Sequence, residues 1–223
     1  MNRHGQQDTA PQTEGRLIRR ASGYDRLNRL LFLGREQRFR EETADLAEIK
    51  PGDCVLDVGC GTGTLTIAAK LRAGPAGQVH GIDAAPEMIQ EAGRKAAGRG
   101  IDVDFRVALV EDIPFPDSTF DVALSSLMLH HLPEAVKRKG FAEIKRVLKP
   151  GGRFVAVDLD FPSQGGLARI LRAVSRHRMT RSNLDTIEEL VKEAGFRVLA
   201  RGTVTYSILR YLCATVGESD KEG

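Results

Sequence analysis

No apolar run in this sequence approaches the roughly 20 residues that a bilayer-spanning helix needs, so no transmembrane helix is expected. Met1–Gly15 is almost entirely polar and lacks the apolar core of a secretory signal, which makes the cytoplasm the expected compartment. Cysteine is scarce. Cys54, Cys60 and Cys213 form no C-x-x-C pair, and their odd number argues against a disulfide framework; no metal site is expected. Charge of one sign is not in excess either. The 33 Lys and Arg against 30 Asp and Glu leave a net +3, too little to imply a nucleic-acid partner. What remains is ordinary: 223 residues, 41% hydrophobic and 28% charged, suit one soluble α/β domain with short additions.

The chain is organised around Cys54-Val55-Leu56-Asp57-Val58-Gly59-Cys60-Gly61-Thr62-Gly63. Val55, Leu56 and Val58 read as a central parallel strand buried on both faces. Gly59, Gly61 and Gly63 then let the backbone turn tightly and come close to a ligand, since no Cβ blocks the approach. A helix can begin at Thr64, with its free N–H groups pointing back at that ligand. A dinucleotide fingerprint would read G-x-G-x-x-G, whereas the spacing here is G-x-G-x-G and Thr64 stands in place of the third glycine. Asp57, two residues before the first glycine, is awkward beside a pyrophosphate and useful beside a cationic amino-acid group.

The string V-L-D-V-G-C-G-T-G resembles motif I of the class I S-adenosylmethionine (SAM) dependent methyltransferases. That resemblance implies SAM as cofactor, with Asp57, Gly59, Cys60, Gly61 and Gly63 at its aminoacyl end. It also implies Asp83, twenty residues after Gly63, on the ribose hydroxyls, a role an NAD-binding protein would share. Ala84-Ala85-Pro86-Glu87-Met88 is similar to the family's next segment, which places Ala84 and Met88 at the adenine. In Ala108–Phe115 the family usually carries Asp where Leu109 stands; Val110, through its backbone N–H, and Glu111 are left to line the ring. Ser125 and Leu127 belong near the sulfonium. The competing readings are a nicotinamide-dependent oxidoreductase, disfavoured by the glycine spacing and Asp57, and a non-catalytic SAM-binding module.

Periodicity and breakers divide the rest. Residues 1–15 read as a disordered tail, and 16–50 as a helical segment with Leu27, Leu30, Leu31, Phe39, Leu46 and Ile49 apolar and Gly34 as a break. That segment is either a lid over the cofactor or a packing layer on the sheet. Within a domain over 51–216, further strands are expected at Gln78–Asp83, Asp102–Val107, Phe120–Leu124, Arg153–Asp158, Phe196–Arg201 and Val204–Ala214. Helices are expected at Pro86–Ala97, at Pro133–Leu148 before a Lys149-Pro150-Gly151-Gly152 turn, and from an Asn183 cap to Gly195 with Leu184, Ile187, Leu190 and Val191 inward. Such alternation predicts a doubly wound, mainly parallel sheet. The resemblance adds a Rossmann-like sheet of seven strands with an antiparallel edge hairpin.

The acceptor half is written in weaker signs. Ser125-Ser126-Leu127-Met128-Leu129-His130-His131-Leu132 follows the fourth strand, where ligands of open α/β sheets gather. His130 is the candidate general base, since a neutral imidazole suits proton removal near pH 7, while a purely structural role for both histidines is the other reading. Ser-Ser-Leu-Met departs from the Asn/Asp-Pro-Pro-aromatic string of enzymes that methylate base amines, so nucleic acid is not the expected substrate. Tyr24-Asp25-Arg26-Leu27-Asn28, with Gly34 and Phe39-Arg40 beyond, resembles the N-terminal signature of the ubiquinone/menaquinone biosynthesis C-methyltransferases. Phe32 and Phe39 replace that family's Ser and Trp, and its C-terminal signature is absent from Tyr206–Ala214. A small, hydrophobic acceptor of quinone, phenol or lipid type is therefore expected. An insert at about 161–182 contains a basic amphipathic helix, 165–178, suited either to an anionic membrane surface or to packing on the core. The oligomeric state leaves no mark in the sequence.

Overall fold

The computed structural model describes residues 36–159 and 184–217. Seven strands form one sheet in the order β3-β2-β1-β4-β5-β7-β6. They are β1 (Cys54–Val58), β2 (Gln78–Asp83), β3 (Asp104–Val107), β4 (Phe120–Ser126), β5 (Leu148–Leu159), β6 (Phe196–Val204) and β7 (Tyr206–Val216). The first five are parallel to their neighbours, and β7 runs antiparallel between β5 and β6. The helices are α1 (Glu36–Leu46), α2 (Thr64–Ala73), α3 (Pro86–Ala97), α4 (Glu134–Val147) and α5 (Leu184–Glu193), with a 3₁₀ turn at Leu129–His131. The chain order reverses between β1 and β4, the switch point at which ligands of such sheets bind.

Alternation along the strands assigns each residue a face. Leu56 and Val58 of β1, with Phe154 and Ala156 of β5, meet Phe141 and Ile144 of α4 and Ile187 and Val191 of α5. Val55, with Leu124 of β4 and Val155 and Val157 of β5, meets Phe39 and Ala44 of α1 and Leu65 and Ala69 of α2. Asp57 therefore shares the α1–α2 face with Val55, and Asp158 shares the α4 face with Phe154 and Ala156. That parity decides what each carboxylate meets.

Several boundaries differ from those expected. Strand β5 begins at Leu148, directly after α4, because Leu148 already pairs with Phe120; Arg153 pairs with Val122, and the Pro-Gly-Gly stretch between them is absorbed as a bulge. Strand β3 starts at Asp104, its first partner across to His80, and β7 runs on to Val216 because Phe196 pairs with that residue. Helix α3 opens with Pro86 in its first turn and α5 buries Leu184, Ile187, Leu190 and Val191, as the sequence pattern requires. The 1–15 tail, the first part of the 16–50 segment, the Asn183 cap and the 161–182 insert with its 165–178 helix lie outside the described residues. No helix among the described residues is long and apolar enough to cross a membrane.

Candidate active site

The turn after β1 is built from backbone. Gly59, Gly61 and Gly63 hold φ of 73°, 53° and 74°, the left-handed region that residues with a Cβ rarely adopt. The N–H groups of Gly59 and Cys60 both donate to the Ile82 carbonyl (2.8 and 2.9 Å), which pins the turn to the end of β2. A Cβ on Gly59 would also fall inside van der Waals contact of the Met128 side chain. The turn and the segment after β4 thus lie against each other. Cys60 is buried, and burial pushes its thiol well above the ordinary range, which disfavours the thiolate.

Asp57 is 1% exposed. Burial raises its carboxyl from 3.8 to about 6, against the opposing pull of a hydrogen bond from Thr66 and the positive charge of Arg40. The Thr66 hydroxyl, in the first turn of α2, donates to Oδ2 at 2.7 Å. Arg40 enters from α1 and donates from Nη1 to Ser126 Oγ at 2.9 Å. Arg40, Asp57, Gly59, Gly61 and Ser126 line a small, partly open cavity of about 20 Å³ beside the glycine turn. Arg40 was not among the residues expected here, and α1 is both a packing layer, with Phe39 and Thr43 fully buried, and a contributor to the site.

Asp83 ends β2 as expected, and its carboxylate is already at work. Oδ2 accepts the Gly61 N–H and Oδ1 the Ala85 N–H, both at 2.9 Å, so it ties the glycine turn to the start of α3. Burial raises its carboxyl while these two N–H groups pull it down. Each oxygen keeps a lone pair for a further donor. Met88 is buried on α3 and Ala84 is half-buried beside Asp83. Val110 turns its side chain to Gly140 of α4, where a Cβ would come within 2.7 Å of Val110 Cγ2, so only its backbone can face a ligand. Glu111 is partly exposed next to it.

Beyond β4 the backbone is strained: Leu127 holds φ of 57° and donates its N–H to the Val157 carbonyl at 2.9 Å. Ser125 is 1% exposed, and its Oγ has no hydrogen-bond partner among the described residues. His130 is buried and locked to Asp158. Asp158 Oδ2 accepts the His130 backbone N–H at 2.8 Å, and Oδ1 lies 2.5 Å from His130 Nδ1. Oδ1 also accepts the Leu159 N–H at 2.7 Å. Lys137 of α4 is 3% exposed beside them; burial pulls its ammonium below the ordinary lysine range, and the negative charge of Asp158 works against that fall. Asp158 was missed from sequence, although β4 and β5 are adjacent and both end at this edge. Arg40 and Asp57, which line one cavity, and the hydrogen-bonded His130–Asp158 pair thus flank the carboxyl end of β4 from opposite faces of the sheet.

The model of a family described as a methyltransferase domain matches residues 55–152. Over 152 residues the chain is 40% identical to a demethylmenaquinone methyltransferase of Thermus thermophilus, covering 68% of each. The chain belongs to the class I SAM-dependent methyltransferases. It is also 34% identical over 152 residues to a ubiquinone/menaquinone biosynthesis C-methyltransferase UbiE of Marinomonas, of which the match spans 60%. The solved structure of a SAM-dependent methyltransferase from Aquifex aeolicus shares the fold, with a TM-score of 0.71 at 24% identity, over 88% of this chain and 98% of that one.

SAM is the cofactor of this methyltransferase, and the donor set suits it. Two carboxylates, Asp57 and Asp83, stand at the ends of adjacent strands, where they match an ammonium and ribose hydroxyls and would repel a pyrophosphate. Gly59→Ala tests the turn. Backbone strain and the collision with Met128 together are expected to cost roughly 1–3 kcal/mol of stability and to weaken SAM binding at least about tenfold. Thermal melting and calorimetric titration would check both; SAM affinity equal to the parent's would rule out a close approach at this glycine.

Proposed function

We propose that this methyltransferase acts on a small aromatic acceptor of quinol or phenol type, with SAM held across the carboxyl ends of β1 and β2 and His130 as the proton acceptor. Asp57 takes the cofactor's ammonium, the turn from Gly59 through Cys60 and Gly61 to Gly63 gives backbone contact, and Asp83 takes the ribose. Ala84, Met88, Val110 and Glu111 border the adenine, and Ser125 and Leu127 lie by the sulfonium. The likeness to demethylmenaquinone methyltransferase carries the acceptor class.

The cofactor supplies a methyl group already activated on sulfur. The chain must align the acceptor, keep water out and take a proton. Asp158 accepts N–H groups from two backbone positions, which makes it the acceptor toward His130 as well. The ring proton then sits on Nδ1, which makes Nε2 the nitrogen assigned to accept the substrate proton. A ring hydroxyl delivered to Nε2 gives up its proton as the nucleophilic carbon or oxygen meets the methyl. Incubation with SAM and a short-chain 1,4-naphthoquinol, followed by mass spectrometry, tests the acceptor class. A singly methylated product is expected; transfer only to non-aromatic lipids or to none of a quinol and phenol panel would discard it.

A further inference from the structure

We propose that Arg40 is the counter-ion for the carboxylate of the SAM methionyl group, so that cofactor and helix α1 are bound as one unit. The inference rests on the SAM reading of the pocket at the glycine turn and adds a residue that lies outside the glycine motif. Arg40 is 8% exposed and lines the same small space as Asp57, Gly59 and Gly61. Its bonding is incomplete. Nη1 donates to Ser126 Oγ, Nη2 stands 3.7 Å from Glu36 Oε1, and Nε is buried with no hydrogen-bond partner among the described residues.

A buried guanidinium N–H is costly to leave unpaired, and native structures rarely do so without a reason. The fork geometry of arginine is suited to a carboxylate, which takes two of its N–H groups at once. The ligand itself demands such a group. SAM ends in a zwitterion, and Asp57 matches only its ammonium; a lone acid would leave the carboxylate against a second negative charge. The positive charge of Arg40 is felt at Asp57, which places the cation within reach of the acid it would complement. Neutral N–H groups at the start of α2 offer a dipole to the carboxylate, but no charge.

Two other roles are open to a buried arginine: tying α1 to β4 through Ser126, or holding an acidic group on the methyl acceptor. Calorimetric titration of the full chain with SAM and with decarboxylated SAM, which keeps the ammonium and loses the carboxylate, separates them. The parent protein is expected to prefer SAM by about 10- to 100-fold, the range of a charge-assisted pair. Arg40→Met should lose that preference, with SAM affinity falling by the same factor and decarboxylated SAM bound as before, which also reports an intact fold. Arg40→Lys should keep part of the preference. Hydrogen exchange across residues 36–46 should slow when SAM binds the parent and not when decarboxylated SAM does. An unchanged preference in Arg40→Met, or equal loss for both ligands, would overturn the assignment and leave Arg40 as a tie between α1 and β4. Failure of the parent to bind either ligand would instead bring down the SAM reading, and this inference with it.

Discussion

Asp57→Asn is expected to abolish SAM binding and at the same time raise the melting temperature of the ligand-free protein. The carboxyl sits in a site that disfavours its charge, so its value rises from 3.8 to about 6 on folding. A group raised on folding contributes stability that is complete below its unfolded value and lost as pH climbs through the folded one. Ionised Asp57 therefore burdens the empty fold above about pH 6, by up to roughly 3 kcal/mol if each pKa unit counts about 1.4 kcal/mol. Asparagine keeps an acceptor for the Thr66 hydroxyl and removes the charge, which should raise the melting point by roughly 5–10 °C near pH 7.5. The same change removes the partner of a buried ammonium and should cost at least about 100-fold in SAM affinity. In the parent, SAM affinity should fall as pH drops below about 6, because the cofactor's ammonium needs the ionised form; in Asp57→Asn that dependence should vanish. Calorimetry and thermal melts across pH 5–8 read all three. A variant that binds SAM like the parent, or melts lower than it, would remove Asp57 from the role of ammonium acceptor.

The burden on Asp57 also shows why half of this site can be read from the chain and half cannot. Its environment is local: β1, the glycine turn and the first turn of α2 follow one another over residues 54–66, so spacing alone places Asp57, Gly59, Gly61 and Gly63 together. Asp83 is nearly as legible, because a parallel neighbour must end beside the turn. Arg40 has no such frame. It belongs to a helix before β1, and only the packing of Phe39 and Ala44 against α2 and the sheet turns its guanidinium to Ser126. Asp158 lies between these cases. Its distance of 28 residues from His130 carries no pattern, yet the adjacency of β4 and β5 and the parity of Phe154 and Ala156 put it on the face where His130 follows. The early start of β5 at Leu148 was hidden for another reason: Pro150, Gly151 and Gly152 signal a turn, and a bulge satisfies that signal without ending the strand. Val110 packs its side chain into the core against Gly140, an orientation compatible with the backbone N–H, the group expected at the ring, facing a ligand.

His130→Ala and Asp158→Asn are each expected to lower turnover by about 100- to 10,000-fold, the usual range of a positioned general base, with SAM affinity unchanged within about twofold. Asparagine in place of Asp158 fills the same volume but turns an N–H donor toward groups that now meet an acceptor. His130 Nδ1 must then accept, the proton moves to Nε2, and the nitrogen proposed to receive the acceptor's proton loses its lone pair. A structural clamp between β4 and β5 would also suffer from this change, so rate loss alone does not decide. The pH dependence does. With the base gone, the acceptor hydroxyl must ionise unaided, and turnover of His130→Ala should rise about tenfold per pH unit until the acceptor's own pKa. A more acidic phenol should recover activity in the variant while gaining little in the parent. Asp158→Asn should follow the same course, because its defect is the wrong tautomer and not a lost fold. If both variants stay slow at every pH and with every acceptor acidity while still binding SAM, the pair orients the turn after β4 and removes no proton. If His130→Ala turns over like the parent, the proton leaves to water, and the buried pair beside Lys137 serves only to hold that turn.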